Sequence, residues 1–396
     1  MNRHLLYLLG TSEKDNTKES RTHQLPRLTI KAKVTDDSKT KLELLNREYG
    51  AFQAYVQGNT TVQLYSATKQ QADRLRNRIL RKQKGKINPK KQYPLILRRD
   101  LIDVQKDTKF PCVYWMKVPV YPKSIHLRIQ TDCRYDLIEY NLREAKVIQQ
   151  AGSWYIFLCI EKEAEQPSRP PPTNVLAIDL GVHNIAVTVN TANTRPNFYG
   201  QKLRAIRGKY FNLRRKLGQK KKAFYKIKAL KNREFLQVNH ELHKISKEIV
   251  EEARRTNAII VVGKLKGIRK RIKEGGSSRR IRRLVNNFPY YRLVQYIKYK
   301  AAWLGIRVME ISEAWTSQTC HHCHEKGERK TQGFFRCKHC GLETNADYNG
   351  SMNIMQRALG ILSRAGGILT IPIEPLVIAD RSKVITGESH MLQRWE

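Results

Sequence analysis

Two periodicities divide this chain. From about residue 25 to residue 166, apolar and polar positions alternate, the spacing of strands with one face in a core and the other in water. Arg27–Val34 and 124–130 (SIHLRIQ) have this spacing, and 112–121 (CVYWMKVPVY), 146–152 (KVIQQAG) and 153–161 (SWYIFLCIE) read as further strands without strict alternation. Between the first two of these, residues 37–100 change to a helical spacing rich in Lys and Arg, which ends near Pro94. The pattern predicts a β-barrel-like domain over 25–166 with a helical insertion at about 37–100. Residues 1–24 are polar and mixed in charge, as in a flexible lead-in. The clearest linker is PSRPPP at 167–172.

Beyond the linker, the pattern changes toward continuous apolar runs, the form of strands covered on both faces. VLAIDLG (175–181) reads as a buried strand and IAVTV (185–189) as a second strand, AIIVV (258–262) is a continuous run of this kind, and RVMEIS (307–312) reads as a further strand. A tight turn at His183–Asn184 separates the first two, and 200–256 reads as one or two long helices. A further helix is expected from Pro289 to Leu304. Pro opens it, Gly305 follows it, and Leu293, Ile297, Ala301 and Leu304 form its buried stripe. A short helix is expected from about Ala346, and 365–396 reads as a loose tail. Strands alternating with helices predict an α/β domain over 174–364.

Charge narrows the function. The 396 residues hold 75 Lys and Arg against 35 Asp and Glu, a net charge of +40. Such a field attracts polyanions, and nucleic acid is the first candidate, ahead of an anionic membrane or a ribosome-like assembly. No apolar run has the length of a membrane span, and Leu5–Leu9 is too short for a secretion signal. A cytoplasmic or, in a prokaryote, nucleoid-associated protein is expected. Two tracts concentrate the charge: 201–235 carries fourteen basic residues and one acid, and 264–283 carries ten and one. Tyr210, Phe211, Phe224 and Tyr225 lie within the first tract. They suit base stacking or helix packing, with packing favoured for most.

Cys112, Cys133 and Cys159 sit in strand-like contexts and read as core thiols. The other four form two knuckles, Cys320-x2-Cys323 and Cys337-x2-Cys340, thirteen residues apart. Two such knuckles complete a tetrahedral thiolate shell, so one structural zinc ion is expected in a ribbon at 316–342, in a reducing compartment. His321, His322, His324 and His339 lie alongside as bystanders or phosphate contacts.

Two acidic residues stand out. Asp179 lies inside an apolar strand, where a charge is costly unless it is paired, caps a turn or binds metal. Asp347, in NADYN, suits a helix N-terminus or a metal site. Together AIDLGVHNIAVTV, KLKGIR, TSQTC with its cysteine pairs, and NADYNGSMNI resemble, in order, the C-terminal half of the TnpB (OrfB) family. These are transposon-encoded, RNA-guided nucleases related to type V CRISPR effectors. The resemblance covers roughly 174–356; the first half is similar to the family's wedge and recognition regions in layout only.

The resemblance implies a RuvC-like domain of the RNase H fold with the zinc ribbon inserted, cutting DNA through two Mg²⁺ ions. It also implies guide RNA and double-stranded target DNA as partners, held by basic segments on either side of the metal strands. Lys202, Arg204, Arg207, Arg214, Arg215, Lys220, Lys221 and Lys222 are the candidates in the first tract. Arg269, Lys270, Arg271, Arg279, Arg280, Arg282 and Arg283 are those in the second. Asp179 and Asp347 match the family's first and third metal ligands. The second, a Glu after the AIIVV-type strand, is Gly263 here. Glu313, at the end of RVMEIS, is the expected replacement, about one strand spacing away; Glu310 and a site that has lost catalysis are the alternatives. The competing functions are a guided DNA binder that cannot cut and a transposase acting directly on element ends.

Overall fold

The computed structural model describes residues 27–82, 87–89, 91–161, 171–219, 224–264, 285, 288–329 and 333–364. The expected lead-in, most of the linker, the second basic tract beyond Lys264 and the tail lie outside these. The chain divides into two compact units, one drawn from 13–168 and 295–306, the other from 169–294 and 307–396.

The first unit is a seven-stranded antiparallel sheet, in the order β2-β6-β7-β1-β5-β4-β3. Its strands are β1 (Arg27–Val34), β2 (Leu95–Leu97), β3 (Val104–Lys106), β4 (Val113–Val118), β5 (Ile125–Gln130), β6 (Asn141–Gln150) and β7 (Ser153–Glu161). Helices α1 (Lys39–Gln57) and α2 (Ser66–Lys82) interrupt it after β1, where the helical spacing begins. Alternation works as expected on β1: Ile30, Ala32 and Val34 enter the core, and Lys31 and Lys33 face out. The ladders run from edge β2 to edge β3 and do not join them among the described residues, so the sheet is linear, not a closed barrel. Cys112 and Cys133 are not separate thiols. They form a disulfide with their Cα atoms 4.9 Å apart. Cys112 precedes β4 and Cys133 follows β5. Pairing Val113 with Gln130 brings these flanks together, a proximity set by register that their sequence separation conceals. Cys159 remains a free thiol, half-buried as expected of a core thiol.

The second unit holds a five-stranded sheet, ordered β10-β9-β8-β11-β12. Its strands are β8 (Asn174–Asp179), β9 (Ala186–Asn190), β10 (Asn193–Tyr199), β11 (Ala258–Lys264) and β12 (Val308–Ser312). Strands β8, β11 and β12 are mutually parallel, and β9 and β10 run antiparallel to their neighbours. The expected pair of basic helices is α3 (Gln201–Gly218) and α4 (Phe224–Arg255), with α4 packed on β11. Helix α5 (Tyr290–Trp303) follows β11 in the chain. Its later part, from Gln295, is grouped with the first unit, where Trp303 packs on Tyr140, ring centroids 5.5 Å apart. Helix α6 (Ala346–Arg364) is nineteen residues long, not short. It lays Met352, Met355, Ala358 and Leu362 on Val175, Ala177, Ile259 and Val261 of the sheet. Strands β13 (Phe334–Arg336) and β14 (Glu343–Asn345) pair between the knuckles and α6. Among the described residues no helix is long and apolar enough to cross a membrane.

Candidate active site

Parallel strands end on the same side of a sheet, which is where α/β proteins gather functional groups. Asp179 is the last residue of β8, Gly263 the penultimate residue of β11, and Glu313 follows the end of β12. In the ladder, Val262 pairs with Ile178 and Gly263 with Ile311, so the three positions share one edge. A Cβ placed on Gly263 would lie 1.9 Å from Glu313 Oε1 and 2.3 Å from its Cγ. The Glu313 side chain thus fills the volume that any side chain at 263 would need. Glu310, in contrast, is exposed in the middle of β12.

Asp347 approaches from the helix side. The Asn345 side chain caps α6, accepting from the backbone N–H groups of Asp347 (2.9 Å) and Tyr348 (3.2 Å). That cap leaves the Asp347 carboxylate in the first turn, buried, over the end of β8. Gly350 permits the approach, and Gly181 lies in ordinary contact with Asp347. A Cβ on Gly350 would come 2.8 Å from Asp179 Oδ2, and one on Gly181 would meet the Asp347 carboxylate at 3.6 Å. Asn184 Nδ2 donates to Asp347 Oδ2 at 3.0 Å, and Arg329 Nη2 to Oδ1 at 3.0 Å. Burial, followed by the charges of Glu313 and Asp347, holds the Asp179 carboxyl well above the usual carboxylate range; Arg329 opposes this. A buried carboxylate whose proton affinity is raised by two neighbouring carboxylates suits a bound cation, and all-oxygen donors suit a hard one. Among the described residues the four cysteines alone gather three or more ligand atoms closely enough for one ion, so the three carboxylates are spaced more widely than that. A pair of ions about 4 Å apart calls for wider spacing than a single ion.

The four cysteine sulfurs lie within 4.8 Å of one another. Cys320 to Cys340 is 3.7 Å and Cys323 to Cys337 is 3.4 Å. A tetrahedral shell with metal–sulfur bonds of about 2.3 Å has edges of roughly 3.8 Å, so the thiolates fit one ion. Phe335 and Ala346 complete the small core around them, which ties the first residue of α6 to the knuckles. His321 is buried with its ring Nδ1 2.9 Å from Asn349 Oδ1, so it is a bystander to metal and no phosphate contact. His322, His324 and His339 are exposed.

Helix α6 also clasps the loop that carries Glu313. Asn353 Nδ2 donates to the carbonyls of Thr316 (2.8 Å) and Thr319 (2.7 Å), Asn349 Nδ2 to Thr319 (2.8 Å), and Arg357 Nη2 to Ala314 (2.9 Å). Sequence reasoning missed this clasp, together with Asn184, Arg329 and Gly350. Its signal was present: Asn349, Asn353, Gln356 and Arg357 recur at helical spacing beside the apolar stripe of the same helix.

The described part of the first basic tract divides by exposure. Lys202, Arg204 and Arg215 are exposed. Lys202 bridges Glu241 at 2.7 Å, and Arg204 lies 2.9 Å from the His183 ring. Arg207 and Arg214 are half-buried, Arg214 paired with Glu234 and Arg207 with its Nε enclosed. Tyr210 packs as expected, whereas Phe224 and Tyr225 are exposed. Lys220, Lys221, Lys222, Arg269, Lys270, Arg271, Arg279, Arg280, Arg282 and Arg283 lie outside the described residues.

Residues 157–269 match the OrfB_IS605 family model, described as "Probable transposase", and 290–354 match the Cas12f1-like TNB domain. A CRISPR-associated endodeoxyribonuclease Cas12f1 of Sulfoacidibacillus thermotolerans is 46% identical over 74 residues, 18% of each chain. The TnpB-like protein MJ0751 of Methanocaldococcus jannaschii is 28% identical over 196 residues, 47% of this chain and 69% of that one. Among solved structures, a Cas12f1–sgRNA–target DNA complex has a protein chain that superposes with a TM-score of 0.55 at 14% identity, covering 80% of both chains. That likeness establishes a shared fold with a Cas12-type effector. Over the parts that match, the chain is similar to TnpB-like proteins and to Cas12f-type effectors. It spans 18% of the Cas12f1 above and 41% of a Cas12f2 from a Micrarchaeota archaeon, the first relatives it matches.

Proposed function

We propose that this chain is an RNA-guided, Mg²⁺-dependent DNA endonuclease associated with a transposon. Its sheet and α6 form a RuvC-like domain of the RNase H fold, and Asp179, Glu313 and Asp347 hold two magnesium ions. The carrying observation is the exchange of volume between positions 263 and 313: the family's glutamate is missing, and another glutamate fills its space from the neighbouring strand. This favours a cutting enzyme over a guided binder that has lost its carboxylate. Asp179, Glu313 and Asp347 would hold the magnesium, which when bound would supply an activated water and charge neutralisation at the leaving oxygen, for 5′-phosphate and 3′-hydroxyl ends.

The chain's own residues prepare the site. Asp179 waits at the strand end in a buried position. Asn184 and Arg329 orient the two oxygens of Asp347. The clasp from α6 holds the loop after β12, so Glu313 and Asp347 are set by one helix. Zinc on the four cysteines is structural, because four thiolates leave no open position. Guide RNA and target DNA are the partners, supported by the net charge of +40 and by the complex that shares the fold.

The test is to sequence RNA copurified with the protein, then supply it with Mg²⁺ and a plasmid bearing the matching target. Guide-dependent cutting supports the proposal; guided binding without cutting in any divalent ion overturns it. Gly350→Ala adds a finer expectation. Alanine favours a helix interior by roughly 1 kcal/mol, yet its Cβ would press on Asp179 Oδ2 at 2.8 Å. Cleavage should fall about a hundredfold, the scale of a 1 Å misplacement, while the melting temperature holds or rises.

A further inference from the structure

Trp315 is 70% exposed, whereas Trp154 is buried in the first unit's core. It lies two residues after Glu313, in a turn closed by Thr316 N–H donating to the Glu313 carbonyl at 3.2 Å. Its φ is 67°, and a positive φ at the third position of such a turn is the setting that favours Gly or Asn. A bulky residue there is an outlier. The indole therefore gains little from packing and sits on backbone suited to a smaller residue.

The mount is firm. Thr316 Oγ1 donates to the Glu313 carbonyl at 2.9 Å, Arg357 Nη2 to Ala314 at 2.9 Å, Asn353 to Thr316 at 2.8 Å, and the N–H groups of Gln318 and Thr319 to the Trp315 carbonyl at 3.0 Å. Thr316 also lines a cavity of about 380 Å³ whose other lining residues include His324, Arg357 and Arg364. An outward-facing aromatic ring on a fixed turn, followed by a cationic hollow, matches a base with its phosphate alongside. Strain retained without packing is the mark of a position kept for function.

We propose that Trp315 is a stacking platform for an unpaired base of the DNA strand entering the carboxylate site. This rests on the nuclease reading for the identity of the strand. The test uses the full-length protein, in Mg²⁺-free buffer at raised salt, with fluorescein-labelled oligothymidine twelve nucleotides long and an abasic oligomer with the same number of phosphates. The ratio of the two affinities cancels the phosphate contribution. Wild type should prefer the thymidine oligomer, and Trp315→Ala should lower that preference about tenfold, the loss of one stacked base. Trp315→Phe should keep most of it. Trp315→Gly, which suits the positive φ, should lose the preference yet melt no lower than wild type. An unchanged preference in Trp315→Ala overturns the proposal. So does a Trp315→Gly protein that melts lower but keeps the preference, which would make the indole a packing residue. Binding is read without cleavage, so a protein that shows the preference but never cuts retains the platform and overturns only the nuclease reading.

Discussion

Glu313→Ala should reduce guide-directed plasmid cleavage by at least about a thousandfold, with little change in target binding. The magnitude follows from losing several kcal/mol of transition-state charge stabilisation at about 1.4 kcal/mol per decade. More telling is Gly263→Ala, which adds one methyl group and no charge. That methyl would lie 1.9 Å from Glu313 Oε1 and 2.4 Å from its Cδ, so Glu313 has to leave its place. The two variants should therefore lose activity to within about tenfold of each other. Gly263→Glu combined with Glu313→Ala puts a carboxylate back on β11 and clears the space for it, and should cut better than Glu313→Ala alone. Plasmid nicking with each variant and the same guide measures all three. Wild-type rates in Glu313→Ala would remove this residue from the mechanism.

Stripping the metal from the four cysteines should abolish cleavage even in excess Mg²⁺. The thiolates, Phe335 and Ala346 share one small core, and Ala346 begins the helix whose next residue is Asp347. Structural zinc in small modules contributes about 10–16 kcal/mol of apparent binding energy that is also folding energy. Without it, the ribbon and the first turn of α6 lose the core they share, and the Asn184 and Arg329 contacts alone are left to fix Asp347 over Asp179. A zinc-selective chelator or Cys337→Ser should raise hydrogen exchange across 316–345 and leave the seven-stranded sheet protected. Retained cleavage with less than one-tenth of a zinc ion per chain would show that the ribbon does not position the site.

Much of this was legible from the chain because the buried strands are written in one style. VLAIDLG and AIIVV are apolar runs, the first broken only by Asp179, and β1 matches its predicted span residue for residue. Strand β10 was missed for a physical reason. NTRPNFY is polar and contains Pro196, which only an edge position tolerates, and β10 is an edge with an irregular register. Helix α6 outruns the expected short helix and continues through Gly350 and Gly360, two poor helix formers. The first glycine admits Asp179 and the second has no atom within 4 Å of where its Cβ would stand. The disulfide and the open sheet depend on strand register, which alternation alone does not encode. Arg329 is one basic residue among 75 in the sequence, and only the fold brings it to Asp347.

The relocated glutamate is best tested by diffraction from crystals of the guide-bound protein grown with Mn²⁺ in place of Mg²⁺. Anomalous peaks should lie at the shared end of β8, β11 and β12, with oxygens of Asp179, Glu313 and Asp347 around them. Peaks held by Asp179 and Asp347 with Glu313 turned away, or no peak at that edge, would contradict the assignment.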